Sequence, residues 1–199
     1  MPLTDLSVEN QIYVKQELLN DNSWMSYQVG DIFERSDLNM ILHQANCFHI
    51  MNAGVAYKIR EYYLNTVIAD KKTPHGDMSK LGTFSTSLET NKNSGKELLI
   101  VNLYGQFHPG RYESNEKAVD SKINRLNYLN DALNRFAEFL QIYMMDLAEE
   151  NKCQFIVGVP WLIGCGIAGG DYNQTFEIFK KIFSPLAKNV KIVFVDING

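Results

Sequence analysis

The sequence predicts an α/β domain built on a mixed central sheet. Three observations carry that expectation. Strand-like apolar runs alternate with helix-like periodic segments, the pattern of a layered α/β fold. Two of the runs, LLIVNLY (98–104) and QFIVGV (154–159), are almost continuously apolar, as strands covered on both faces are. Finally, GTFSTSLETNKNSGKELLIVNLY contains two adjacent strands around a turn at Asn91–Gly95, so one neighbouring pair is antiparallel.

The elements follow in order. Residues 8–21, VENQIYVKQELLND, predict a short amphipathic helix with Val8, Ile12 and Leu19 on one face. It belongs to an expected N-terminal extension, residues 1–22, packed on a domain spanning 23–199. Six strands are expected at 25–29, 40–44, 82–88, 98–104, 154–159 and 190–195. The third alternates with the two-residue period of a half-exposed strand. Helices are expected at 53–63, 119–149 and 175–183. In the second of these, Leu126, Leu129, Leu133, Phe136, Leu140, Tyr143 and Leu147 recur at steps of three and four and make one apolar stripe. Ser184-Pro185 ends the third.

The 199 residues fit one domain, and 45% hydrophobic with 21% charged residues is an ordinary globular profile. A net charge of −4 offers no basic footprint for general nucleic-acid binding. The three cysteines Cys47, Cys153 and Cys165 are odd in number and widely spaced, which suits a reducing compartment. MPLTDLSVENQ has neither the charged nor the apolar region of a signal peptide. No apolar run approaches the roughly 20 residues that span a bilayer. These features predict a cytoplasmic, monomeric protein.

Gly164, Gly166 and Gly169 in GVPWLIGCGIAGGDY (158–172) match G-x-G-x-x-G. The dinucleotide motif of that form belongs to a first strand–helix turn with several strands after it. Here one helix and one strand remain, and the region about 20 residues on reads Lys188-Asn189-Val190, without the ribose-binding acid. The shared physics is still available. Backbone N–H groups around small residues before a helix favour an anion. HQANCFHIMNAGVAYKIR (43–60) is a second strand-to-helix loop of small residues, and two such loops can grip the two ends of a diphosphate. For both, the alternative is a turn whose small residues serve only chain reversal or close packing. Asp31 in Gly30-Asp31-Ile32 ends the first strand, where a carboxylate either accepts from an exocyclic amine or caps a turn.

Taken together, these residues resemble the macrodomain family over about residues 25–197. Asp31 in VGDIF matches its GDI motif, Asn46 in HQANCF its asparagine after the second strand, and NAGVA and IGCGIAGGDY its two phosphate loops. The stretches NCFHIMNAGVA, TPHGDMSKLGTFS and IGCGIAGGDY are most similar to the bacterial and bacteriophage branch of ADP-ribose 1″-phosphate phosphatases. The resemblance implies a three-layer α/β/α sandwich with a cleft at the C-terminal ends of the central strands. It implies that Asp31 and the Ile32 backbone meet adenine. Asn52, Ala53, Gly54, Val55 and Ala56 would flank one end of the diphosphate and distal ribose, and Gly164, Cys165, Gly166, Ile167, Ala168 and Gly169 the other. Asn46 would hold the distal ribose. Two positions depart from the pattern: Asn52 stands where glycine is common, and Tyr172 where tryptophan is usual. A related branch removes ADP-ribose by lysine attack. In part of it the lysine directly follows the glycine opening the third strand; here that position is Thr83, with Lys80 offset by three.

Hydrolysis of a 1″-phosphate needs a positioned water, relief of developing negative charge and a fixed leaving group. Loop amides supply the second without a metal or other cofactor. Asn46 supplies the positioning, and His49 is the first candidate for general base, because an imidazole titrates near neutrality. Asp171 is the second, with a helix N-cap as its alternative; Asp77 is a third and reads better as a turn residue. His43, Cys47 and His49 have the spacing H-x₃-C-x-H, but strand and loop histidines would point apart and no fourth ligand is near, so no metal is expected. Cys165 reads as a small space-filler. Three functions remain open: a phosphatase of ADP-ribose 1″-phosphate, a non-catalytic ADP-ribose-binding module, and a hydrolase removing ADP-ribose from protein or nucleic acid.

Overall fold

The computed structural model describes Val14, Lys15, Leu18, residues 24–147 and residues 154–198. Its strands are β1 Met25–Val29, β2 Met40–Asn46, β3 Phe84–Thr90, β4 Glu97–Gln106, β5 Phe155–Pro160 and β6 Val190–Asp196. Its helices are α1 Gly54–Tyr62, α2 Leu64–Lys71, α3 Lys122–Leu147 and α4 Tyr172–Phe183. Three short 3-10 turns, at Ile32–Glu34, Met78–Lys80 and Ser184–Leu186, join them.

The sheet order is β1-β6-β5-β2-β4-β3. Every neighbouring pair is parallel except β3–β4. That pair turns at Asn91, whose N–H donates to Lys96 O and whose carbonyl accepts from Gly95 N. The mixed sheet and its antiparallel edge are therefore as the sequence predicts. Its two faces bury alternate residues of the same strands. Met40, Leu42, Leu99, Val101, Ile192 and Phe194 pack toward α3 and α4, where Leu129, Leu133, Phe136 and Leu140 form the expected stripe. Ile41, Leu98, Ile100, Val193 and Val195 pack toward α1. The result is three layers, and it explains why 98–104 reads as a continuous apolar run.

Several boundaries differ from the sequence reading. α4 begins at Tyr172 rather than 175 because Asp171 caps it, with Oδ1 accepting from Gln174 N at 3.1 Å. The strand expected at 82–88 is Phe84–Thr90. The expected helix 53–63 ends at Tyr62, and a further helix, α2, was not foreseen. Its hidden face is polar: Thr66 and Asp70 are buried while Leu64 and Ile68 are exposed. The usual apolar signature is thereby inverted. Glu89 of β3 compensates by accepting from Thr66 N at 2.7 Å. The helix expected over 8–21 lies largely outside the described residues, as does its Val8, Ile12 and Leu19 face. Within it Val14, Lys15 and Leu18 are helical, and Val14 and Leu18 are buried in the core.

Gly158 in β5 lets the 3-10 turn after β1 approach the sheet. A Cβ there would stand 2.6 Å from Leu38 Cδ1 and 3.2 Å from Ile32 Cδ1. Gly158→Val is therefore expected to lower stability by about 1–3 kcal/mol through overpacking, read by denaturant melts. An unchanged midpoint would contradict this packing.

Candidate ligand-binding site

Because β1, β2, β4, β5 and β6 run parallel, their C-terminal ends share one edge, where crevices form in such sheets. Gly30-Asp31 and the loops 47–53, 107–121 and 161–171 all lie at that edge. At the end of β2 the register shifts between Ala45 and Asn46, so that Asn46 pairs with Gln106 and Gly105 is the extra residue. Both polar side chains are buried at this bulge.

The first small-residue loop ends at Ala53, the N-cap of α1, which makes no side-chain capping bond. The N–H groups of Gly54, Val55 and Ala56 thus have no partner within the helix. Gly54 is exposed at φ 57°, and nothing lies within 4 Å of the position a Cβ would take. This is an open helix start with three donors and a positive dipole end. Asn52 does not extend it, since its Oδ1 accepts from Arg60 Nη1 at 2.5 Å.

The second loop is more tightly wound than the sequence suggests. Cys165 N and Gly166 N donate to Leu162 O, Gly169 N to Gly166 O, and Gly170 N to Gly164 O. Those four amides hold the loop's shape. Among the described residues, the N–H groups of Gly164, Ile167 and Ala168 have no such partner and remain as donors. Tyr112 clamps the loop from outside, with its N–H on Ala168 O and its ring 3.1 Å from where a Gly169 Cβ would stand. Gly170, which the sequence reading left out, is the most constrained: a Cβ there would lie 2.4 Å from Gly164 O. At Gly166 the nearest atom would be 3.7 Å away. Gly170→Ala is accordingly expected to lower stability by more than about 1 kcal/mol, and Gly166→Ala to stay within about 0.5 kcal/mol. Thermal melts of the pair would check the contrast.

Each expected side chain has a defined place. Asp31 caps the turn after β1, accepting from Phe33 N at 3.0 Å, and its Oδ2 meets Lys58 Nζ of α1 at 2.6 Å. Ile32 is buried in the core beneath. Asn46 is buried and tied to the first loop: Oδ1 accepts from Phe48 N (3.0 Å) and Ile50 N (3.2 Å), and Nδ2 donates one of its two hydrogens to Ile50 O (2.7 Å). Its side chain moulds the first loop. Asp171 caps α4 and lies 3.8 Å from Lys122 Nζ. Asp77 caps a 3-10 turn through Ser79 N. Cys165 is half-buried beside Thr175 Oγ1 at 3.3 Å, and burial pushes its thiol up to about 11, so it stays protonated. That agrees with a space-filling role.

His49 is the one non-glycine residue at positive φ among the described residues, at 58°. Its Nε2 lies 3.2 Å from Thr73 Oγ1 and 4.0 Å from Asp70 Oδ1. Burial lowers its pKa below 6.5; Asp70 opposes that, while Lys80 and His75 reinforce it. His43 is instead sealed in the sheet against Asn102. His43, Cys47 and His49 therefore do not form a ligand set. The grouping of metal-type donors among the described residues is His108, Glu113 and Asp120. Asp120 there accepts from Phe107 N (2.7 Å), His108 N (2.6 Å) and Arg125 Nε (2.9 Å). It anchors the loop that carries Tyr112. Burial raises Asp120, but its Arg125 and amide hydrogen bonds prevail and hold it below 3.8. A depressed carboxylate stabilises the fold above its unfolded pKa and loses that contribution as the pH falls through the folded value. Asp120→Asn is expected to flatten this acid limb in melts taken between neutral pH and about pH 3.

The sequence reading missed Gln44, whose Nε2 donates to Gln106 Oε1 at 2.8 Å beneath the second loop, and Lys58, Tyr112 and Arg125. Polar residues inside apolar strands, such as Gln44 and Gln106, were the available signal. The others are surface-type residues with no local signature.

No protein-family model matches the chain. It is 28% identical over 176 residues to an uncharacterized 17.5 kDa protein in the tk-vs intergenic region of Enterobacteria phage T4, covering 86% of this chain and 96% of that protein. Its architecture is similar to the macrodomain of Mycobacterium tuberculosis DarG, with a TM-score of 0.58 at 18% identity, covering 89% of this chain and 100% of that one. It is also similar to Thermosipho africanus DarTG, solved in complex with ADP-ribose, with a TM-score of 0.55 at 13% identity over 86% of this chain and 42% of that one. No helix among the described residues is long and apolar enough to cross a membrane. With its sheet order, its two loops and these likenesses over nearly the whole chain, the protein has the macrodomain fold.

Proposed function

We propose that this protein binds ADP-ribose and hydrolyses ADP-ribose 1″-phosphate. The observation that carries the reading is the pair of amide-presenting loops at the ends of β2 and β5, with Gly54, Val55 and Ala56 on one and Gly164, Ile167 and Ala168 on the other. Two sets of preorganised donors suit a diphosphate and cost no reorganisation when charge develops. The ADP-ribose complex of the Thermosipho protein supports a nucleotide ligand. Residues 23–199 form the macrodomain in this reading and 1–22 an extension on it, supported by the burial of Val14 and Leu18.

The geometry supports the following roles. Asp31 retains acceptor capacity beside its Lys58 contact and receives the adenine amino group, next to the Ile32 backbone. The amides of both loops bind the diphosphate and distal ribose. Asn46 acts mainly by shaping the loop that carries His49, which serves as general base toward the attacking water. Asp171 is left to cap α4. The protein works as a cytoplasmic monomer without metal or cofactor.

Calorimetry with ADP-ribose and phosphate release from ADP-ribose 1″-phosphate test the two halves separately. Binding together with turnover supports the enzyme. Tight binding without turnover above the Gly166→Glu background selects a binding module. Release of ADP-ribose from a modified protein or nucleic acid would select the de-ADP-ribosylating alternative.

A further inference from the structure

Behind His49 lies a buried charged cluster. Asp70 and Lys80 are 2% and 3% exposed, and their Oδ1 and Nζ are 3.6 Å apart. Tyr104 donates its phenol to Asp70 Oδ1 at 2.8 Å, and Lys80 Nζ stands 4.3 Å from the Tyr104 ring centroid. Lys80 Nζ also donates to Cys47 O, two residues before His49, at 3.3 Å. Thr73 Oγ1 donates to Asp70 O at 2.6 Å and meets His49 Nε2 at 3.2 Å. Buried ion pairs are poor sources of stability, because desolvation offsets their attraction. Left-handed backbone at a residue other than glycine is strained, and such strain gathers where function needs it. Both anomalies meet at one imidazole.

We propose that Asp70, Lys80 and Thr73 are positioning residues for His49: they fix its tautomer with Nε2 toward Thr73 and Asp70, and their opposed charges set its basicity. The proposal rests on the reading of His49 as general base, which it deepens. An imidazole donating from Nε2 carries its lone pair on Nδ1, so Nδ1 is the atom that takes the proton from water. Asp70 favours the resulting imidazolium. Lys80 opposes it and keeps the ring neutral and basic before the reaction. Among the described residues, His75 and Tyr104 also stand near the ring. His75 stands at 5.2 Å between ring centroids, and Tyr104 is held protonated by burial. A lone Asp70 would stabilise the imidazolium too early, and a lone Lys80 would disfavour it throughout the reaction.

The test is the titration of His49 in the ligand-free protein, followed by imidazole NMR and assigned by loss of its signals in His49→Asn. This readout needs no substrate, so it is independent of whether the phosphatase reading holds. The wild-type midpoint is expected below 6.5. Lys80→Met should raise it, and Asp70→Asn should lower it, each by about one pH unit. Midpoints unmoved in both folded variants would overturn the proposal. Thr73→Val covers the case in which a charge variant does not fold. The wild-type ring should show a protonated Nε2 and an unprotonated Nδ1, and Thr73→Val should mix the two tautomers. A ring already mixed, or one unaffected by Thr73→Val, would equally overturn it.

Discussion

Replacing Gly166 with glutamate is expected to abolish ADP-ribose binding while leaving the protein folded. The position is exposed, its backbone is not left-handed, and a Cβ there has only ordinary contact with Leu162. The new carboxylate would stand in the turn that exposes the Ile167 and Ala168 amides, where the proposed ligand carries its negative charge. Juxtaposed like charges cost several kcal/mol, so affinity should fall by at least about 10²-fold. Calorimetry, with a thermal melt on the same sample, reads both halves. Retained affinity in a folded variant would remove this loop from the binding site. Gly170→Ala would not discriminate so cleanly, because its Cβ meets Gly164 O and the loop itself must shift.

His49→Ala is expected to lower the rate of phosphate release by about 10²–10⁴-fold, the usual contribution of a general base. Alanine tolerates the left-handed backbone of this position poorly. His49→Asn is the better-matched variant, since asparagine visits that region more readily, and it should lose a similar factor. ADP-ribose affinity should survive in both, because the loop amides remain. A general base works in its neutral form. With the His49 pKa held below 6.5, activity should be flat near neutral pH and fall as the pH drops through that pKa. An unchanged rate would transfer the role to Asp171 or to the substrate's own phosphate. Of these Asp171 is the less available, with one oxygen committed to the α4 cap.

Much of this was legible in the sequence, and for particular reasons. The strands 98–104 and 154–159 are buried on both faces, so their apolar character needs no context to be seen. The α3 stripe from Leu129 to Leu140 has one apolar partner face and follows the helical period. The small-residue loops 52–56 and 164–169 are recognisable because small side chains, which leave the backbone free to turn tightly, are a local property of the chain.

Other features exist only after folding. α2 buries Thr66 and Asp70 and exposes Leu64 and Ile68, and it can do so because Ser87, Glu89, Lys80 and Tyr104 supply polar partners from elsewhere in the chain. No local periodicity reports such partners. Asn46, Asp31 and Asp171 read as ligand or catalytic groups from their positions, yet their first commitments are to neighbouring backbone N–H groups, and the loop conformation decides that. The sequence by itself determined the layered sheet and the two small-residue loops at its strand ends, because burial and backbone freedom are encoded residue by residue. Which amides stay free, and which charges stand behind His49, only the tertiary structure decided, because both depend on hydrogen bonds between residues far apart in the chain.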